Sequence, residues 1–338
     1  MNFTIPSDYN VKTIEKLLEI SKKYKNRNIY EVYGNLNGIS PISSGRGYLE
    51  SSNIGIDTLK EYVSFLNEKN IYMNYTINAS CTNNIELEPT GQKEIIKIMD
   101  LLMKMGVTKY TVASTSLAQF LKYIYKDDIN ITLSTIANID SVRRAKFAQT
   151  IGVDTIVLGE DETRNFSLIE QIHKEVKCKM EIIVNSMCLW NCIYRQSHYN
   201  CLAHCSNSKS SKVTFFTNQC SMINKCNMEE SIKTPWIRPE DMALYEDKGV
   251  DLFKFIGREI VKEADWAKMF EIYCLGEYDG NLLELLNAFS GTSELYIDNK
   301  SLDGFINYFV NNQFRCKEIC GTDRCSYCKF YFEKAKRR

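Results

Sequence analysis

The chain has 338 residues, enough for one large domain or two ordinary ones, and its 44% apolar and 25% charged content is that of a globular protein with a sizeable core. Lys plus Arg and Asp plus Glu number 42 each, so the net charge is zero, which excludes a broad nucleic-acid footprint but leaves room for a local basic patch. No uncharged apolar run approaches the ~18 residues of a membrane helix, and no membrane partner is expected.

Helical and strand patterns alternate from the start. Ile14, Leu17, Leu18 and Ile20, with lysines between them, predict an amphipathic helix over 11–24. A β-rich run at 28–33 follows, then a polar loop over 37–53, then a helix over 57–69 with Asp57 as N-cap. Strands are predicted at 71–77, 109–113, 129–136, 154–158 and 180–185, with helices at 90–105, 116–125, 139–150 and 165–176 between them. About fifty residues without this cadence come next. The cycle resumes with a helix opened by Arg238-Pro239 and ending at Lys248, and a strand at 251–256. A long helical region over 259–289, divided near 276–280, precedes an eighth strand at 294–297.

Eight short strands separated by helices predict an α/β protein, a (β/α)8 TIM-like barrel; an open doubly wound sheet is the alternative. The barrel is assigned to residues 1–300, including a cysteine-rich loop at 186–235, with a cysteine-rich tail at 301–338. Barrel active sites lie at the C-terminal ends of the strands. Those ends carry Tyr33, Asn35, Asn78, Cys81, Ser114, Ser134, Thr135, Glu160, Asp161, Asn185 and Arg258.

Residues 1–8 lack the basic and apolar segments of a signal peptide, so a cytoplasmic location is expected. In a reducing compartment, thirteen cysteines point to metal, cluster or redox chemistry rather than disulfides. Six of them, Cys188, Cys192, Cys201, Cys205, Cys220 and Cys226, lie in the long loop with His198 and His204. A connection that long is expected to be functional. Zinc knuckles favour two-residue gaps, and none occurs in this loop, which tilts the reading toward a [4Fe–4S] cluster.

The stretch from Asn185 to Tyr199, and that from Thr234-Pro235-Trp236-Ile237-Arg238-Pro239-Glu240-Asp241 to Gly257-Arg258, resemble the peptidase U-32 family. Ser44-Gly45-Arg46, Asn74 to Cys81 and Arg164-Asn165-Phe166 are similar to it as well. The resemblance is closest to small single-barrel members. It implies either proteolysis, as the family name says, or the chemistry of relatives similar to oxygen-independent hydroxylation factors, which carry a cysteine-bound [4Fe–4S] cluster. Cys188 and Cys192 match the first part of that cluster motif. Cys220 and Cys226 are assigned as the other two ligands, with Cys201 and Cys205 as departures from the pattern that can replace either.

In the tail, Cys316, Cys320, Cys325 and Cys328 are separated by gaps of three, four and two residues, a metal-binding spacing for zinc or a second cluster. Residues 329–338 read as a solvated basic helix end. His198 and Tyr199 are candidate proton relays and, with Arg258, candidate catalytic groups. Arg46, Asn78, Arg195 and Arg238 are candidate substrate-binding groups, the arginines by paired hydrogen bonds to carboxylate or phosphate. Glu31, Glu160 and Asp161 are possible acids or bases, although the face Glu31 presents is not fixed by its strand. His204 is a candidate further ligand, His173 an exposed helix residue, and Cys81 a free core thiol with a lone reactive thiol as the alternative. No serine-protease triad order and no His-Glu-x-x-His helix occurs.

The resulting expectation is an iron–sulfur protein performing redox or hydroxylation-type chemistry on a small molecule, an RNA base or a peptide. An electron donor and a paired family subunit are its expected partners. A peptide hydrolase and a non-catalytic metal-binding scaffold are the alternatives.

Overall fold

The strands of the central sheet are short, the shortest of three residues, so none forms a free-standing sheet; they are stable as a closed ring. In the computed structural model, which describes residues 1–36, 42–45, 54–208, 214–311 and 314–337, eight parallel strands close a barrel in sequence order. They are β1 (Asn2–Pro6), β2 (Asn28–Gly34), β3 (Tyr72–Ile77), β4 (Lys109–Val112), β5 (Asn130–Leu133), β6 (Thr155–Val157), β7 (Lys179–Ile183) and β8 (Leu252–Lys254). Closure comes from β1 pairing with β8, Asn2 to Thr4 opposite Leu252 to Lys254.

Helices α1 (Val11–Lys23), α2 (Ile56–Glu68), α3 (Pro89–Lys104), α4 (Thr115–Tyr125), α5 (Val142–Thr150) and α6 (Phe166–Glu175) make the crossovers. Asn10, Ser114, Ser141 and Asn165 cap four of them with side-chain oxygens. Asp57 is not the cap of α2; Gly55 holds that position and Asp57 lies in the first turn. After β7 come α7 (Arg195–Ser208), α8 (Phe215–Cys226) and α9 (Glu230–Lys233), so the cysteine-rich segment is largely helical. Then α10 (Met242–Asp247) precedes β8, and α11 (Trp266–Leu275) and α12 (Leu282–Leu286) follow it, divided at Gly276 as expected.

Two strand assignments change. The ring begins with β1, which the sequence reading passed over, and the run at 294–297 is not a barrel strand. Tyr296–Ile297 forms β9 and pairs antiparallel with β10 (Lys336–Arg337), outside the ring. The long cysteine-rich connection therefore follows the seventh strand, not the sixth. Helices α13 (Asn307–Asn311), α14 (Cys316–Ile319) and α15 (Tyr327–Ala335) complete the chain, and Phe305, Phe309 and Phe332 belong to the same apolar core as the barrel.

That core lies between strands and helices, where Phe3, Val32, Tyr75, Tyr110, Ile131, Ile156, Ile182 and Phe253 are almost wholly buried. The alternate positions face the barrel axis, and there the chain is polar. Thr4 donates to Glu181 (2.6 Å), Asn74 donates to Glu31 (2.9 Å), and Thr111 donates to Asn74 (2.7 Å). Lys254 pairs with Glu181 at 3.1 Å and Lys109 with Glu31 at 3.4 Å, so two buried ammoniums balance two buried carboxylates. Barrel interiors are ordinarily filled with branched aliphatics. Here Glu31 faces inward, which settles the orientation its sequence left open.

Candidate active site

The polar interior opens at the C-terminal ends of the strands into a pocket of about 650 Å³, its open mouth included. Tyr33, Thr76, Asn78, Ser134, Glu160 and Arg258 line it from successive strand ends, and Lys254 rises into it from the salt-bridged layer below. The Lys254 ammonium lies 4.5 Å from the Tyr33 ring centroid. Arg258 is held by Asn35 Oδ1 (3.0 Å), Thr76 Oγ1 (2.7 Å) and the Ser44 carbonyl (3.3 Å), so its guanidinium is fixed at the rim. Gly257 before it has φ +138°, a turn that redirects the chain at the end of β8.

Asn78 contributes an orphan. Its Oδ1 is buried and accepts no hydrogen bond, although the residue lines the pocket. Gly45 closes over it with φ +71°, and a Cβ there would stand 2.6 Å from the Asn78 carbonyl. Arg46, the neighbouring candidate, lies outside the described residues.

Helix α7 covers one side of the mouth. It is tied to the loop after β3 by Ser80 Oγ donating to Asn200 Oδ1 (2.7 Å) and to the loop after β2 by Ser43 Oγ donating to the Ala203 carbonyl (3.3 Å). This brings Tyr199 into the pocket, where its hydroxyl donates to Glu160 Oε1 at 2.6 Å. Ser186 donates to the other oxygen of the same carboxylate. Burial, then the charge of Glu160, then Cys188, hold the Tyr199 phenol well above its ordinary pKa, so it keeps its proton.

Cys188 thus lies beside the pocket wall. The turn carrying it is fastened to the segment after β6: Trp190 donates to the Asp161 carbonyl (3.2 Å), the Asn191 amide donates to Asp161 Oδ1 (2.6 Å), and Arg195 pairs with Asp161 Oδ2. Arg195 also donates to the Leu189 carbonyl, while its buried Nε has no partner. Burial alone would weaken its charge, but Glu160 and Asp161 outweigh that and strengthen it. Cys188 and Cys220 both lie within the electrostatic reach of this guanidinium. The Cys220 thiol, raised first by burial, faces the Cys192 thiol, while Cys201 faces Cys205 one turn along α7. Cys226 is exposed at the end of α8. Among the described residues no three Cys, His, Asp or Glu side chains are drawn tightly enough together to hold a metal ion. Thiols are the right donor type for a cluster, and two of them, Cys188 and Cys220, lie near the Arg195 guanidinium.

The remaining candidates lie elsewhere. His198 stacks on Phe216 at 5.2 Å and does not line the pocket. Arg238 is buried and bound to Asp241 (2.9 Å), Asp303 (2.9 Å) and the Asn299 carbonyl (2.9 Å), where it joins the chain before α10 to the segment before α13. Lys254, Glu181 and Thr4 were missed by sequence reasoning; the signal was a polar residue at alternate positions of strand after strand. Cys316, Cys320 and Cys328 line a second cavity, which shares Glu160 with the first and is also walled by Asp161, Arg164 and Trp190. Burial pushes Cys316 up to about 11 and Cys328 up to about 12.

A sequence profile described as "Peptidase family U32" matches residues 31–218. An uncharacterized protease of Methanocaldococcus jannaschii is 32% identical over 328 residues, covering 96% of this chain and 94% of that one. The chain belongs to peptidase family U32. The solved structure of the U32 peptidase Mk0906 shares the fold, with a TM-score of 0.54 at 13% identity, over 76% of this chain and 92% of that one. The U32-matched region runs from within β2 to β7 and takes in Glu31, Asn74, Lys109, Thr111 and Glu181 of the polar interior, but not Thr4 or Lys254, together with Cys188 to Cys205. It stops short of Cys220, Cys226 and the four tail cysteines. No helix among the described residues of this U32 protein is long and apolar enough to cross a membrane.

Proposed function

We propose that this U32 protein is an iron–sulfur enzyme performing redox or oxygen-independent hydroxylation-type chemistry. Its substrate, a small molecule, an RNA base or a peptide, occupies the barrel mouth. Cys188, Cys192 and Cys220 would hold a [4Fe–4S] cluster, with Cys226, Cys201 or Cys205 as the fourth ligand and an external one-electron donor as partner. The observation that carries this reading is the position of Tyr199, which donates to Glu160 inside the pocket and lies within the electrostatic reach of Cys188 in the cysteine turn. Substrate chemistry and cluster ligands thereby share one residue.

The chain's own groups have separable tasks. Asn78 Oδ1 accepts an N–H or O–H of the substrate, which removes its orphan status. Arg258 and Lys254 attract an anionic or carbonyl oxygen, Arg258 from a fixed rim position and Lys254 from below. Tyr199 holds a proton against Glu160, poised for transfer to a substrate oxygen. When bound, the cluster supplies single electrons. Arg195 offsets the negative charge of its thiolates.

Anaerobic purification with iron, sulfide and zinc analysis tests this. About four irons and four sulfides per chain are expected for the loop site, lost on Cys188→Ala. Iron content unchanged by Cys188→Ala overturns the assignment. Peptide hydrolysis, suggested by the name of the Methanocaldococcus relative, predicts instead that metal-free protein cleaves peptides and that Glu160→Gln abolishes this.

A further inference from the structure

The four tail cysteines take no part in the reading above and lie beyond the family-matched region. We propose that Cys316, Cys320, Cys325 and Cys328 bind a second metal centre, a dianionic tetrathiolate, for which Arg164 is the built-in counter-cation. This goes beyond the loop cluster and does not depend on it.

Arg164 is the first observation. It is only 6% exposed, and its Nη groups donate to three backbone carbonyls, those of Ile232 (3.2 Å), Lys233 (3.2 Å) and Thr234 (2.7 Å). Its Nε is buried without a partner. Trp236 lies 4.5 Å from the guanidinium, Phe305 5.0 Å and Phe309 5.5 Å, so the charge is walled by rings. Asp241 is the carboxylate with influence on it, and both oxygens of Asp241 are taken by Arg238. Aromatic faces and carbonyl dipoles soften the burial of a cation, but they carry no net negative charge. A buried guanidinium without a counter-anion is destabilising.

The groups that act on Arg164 most strongly, after burial itself, are Cys328 and then, beyond the phenol of Tyr245, Cys316. Neutral thiols do not balance a charge; metal-bound thiolates do. Zinc(II) with four thiolates and an oxidised [4Fe–4S] cluster with four thiolates both carry a net charge of −2, so either gives Arg164 the anion it lacks. Binding is balanced by release of the thiol protons, and no electron is transferred.

The local backbone sets the four cysteines around one turn, although no three of their sulfurs are drawn together at metal-binding distance in this structure. Helix α14 sets Cys316 and Cys320 one turn apart. Gly321, at φ +79°, reverses the chain after it, and the amide of Cys325 closes a turn onto Thr322. Cys328 then sits in the first turn of α15, three residues beyond Cys325. Cys316 lies within the electrostatic reach of Cys320 and Cys325, and Cys328 within that of Cys316 and Cys320. Three of the four line one cavity with Arg164. Trp190, from between Cys188 and Cys192, forms another wall of it and meets Phe314 edge-on at 6.3 Å, so the second centre would abut the loop that carries the first.

The test uses the full chain, purified without oxygen, as wild type, Cys188→Ala, Cys325→Ser, the double variant Cys316→Ser with Cys328→Ser, and Arg164→Met. Zinc, iron and sulfide are measured per chain. Cys325→Ser and the double variant should each lose about one zinc, or about four irons with their sulfides, that Cys188→Ala retains. Which metal is lost distinguishes the two kinds of centre. Cobalt(II) added to metal-stripped protein should give thiolate charge-transfer absorbance that Cys325→Ser weakens. Arg164→Met should keep the stoichiometry but release metal to a competing chelator at an affinity about 10- to 100-fold lower. Cys325 lies in a surface turn, so that variant decides the question if the double variant does not fold. Equal metal in wild type and Cys325→Ser, or loss of all metal with Cys188→Ala, overturns the proposal. Unchanged metal in Cys188→Ala with loss in Cys325→Ser would sink the loop cluster and leave the tail centre standing.

Discussion

Glu31 is a carboxylate wholly enclosed by the barrel, with an ammonium at 3.4 Å and a second carboxylate close by. Burial raises its pKa first, Glu181 raises it further, and Lys109 and Lys254 only partly oppose them. A carboxyl raised in the folded state stabilises the fold at pH below its ordinary value of about 4.5, and that contribution is lost as pH rises through the raised value. Relative to Glu31→Gln, wild type should therefore lose unfolding free energy as pH rises above about 4.5. Denaturant titrations of the two proteins across that range test this; parallel curves would mean that Glu31 ionises in the barrel as it does in the unfolded chain. Arg238 makes a contrasting case. Each of its three nitrogens donates to Asp241, Asp303 or the Asn299 carbonyl, so it is a tie between segments. Arg238→Met leaves Asp241 buried and unpaired and should cost about 3–5 kcal/mol, read as a fall in denaturation midpoint with an unaltered barrel mouth. Sequence alone does not separate such an arginine from Arg258, because the two differ only in which neighbours the fold delivers to them.

At the scale of elements, the strands and crossover helices with a clear apolar period were legible, and so were the strand ends that line the pocket. Tyr33, Asn78, Ser134, Glu160 and Arg258 were all identifiable from their place after a strand. The misreadings have physical causes. Strand β1 has five residues and ends in a proline, so only Phe3 and Ile5 signal it, and its pairing with β8 lies some 250 residues away along the chain. Helix α7 distributes cysteines, polar residues and an arginine around its whole circumference, so no apolar stripe betrays it. Its helical state rests on its ties to the loops after β2 and β3 and on its lid position. The short run at 294–297 has a strand's composition but finds its partner at the far end of the tail. That pairing, with Phe332 in the common core, makes α15 part of the barrel's own cooperative unit. Phe332→Ala should lower the unfolding free energy by about 3–5 kcal/mol, and barrel and tail should still melt together. A separate early transition for the tail would contradict this.

At the scale of the whole molecule, chemistry is concentrated at one end. The pocket, the cysteine-bearing helices and the tail cysteines all sit around the segment after β6, and Glu160 borders both cavities. The opposite end carries the Lys109 and Lys179 ammoniums, each donating at 2.7 Å to the hydroxyl of Tyr30. Between the two ends runs the polar interior, and this interior bears on how the ring is threaded. Aliphatic side chains of similar volume tolerate exchange between strands, because one greasy neighbour substitutes for another. Charges do not. If β2 slid by one residue, Tyr30 or Val32 would face Asn74 and Lys109 in place of Glu31, and every side chain on that strand would change sides. A buried ammonium would then have lost the carboxylate that balances it. The paired acids and bases along the axis act as a combination lock: eight short strands, each too brief to find its own alignment, are accepted only in the one alignment that leaves no charge alone.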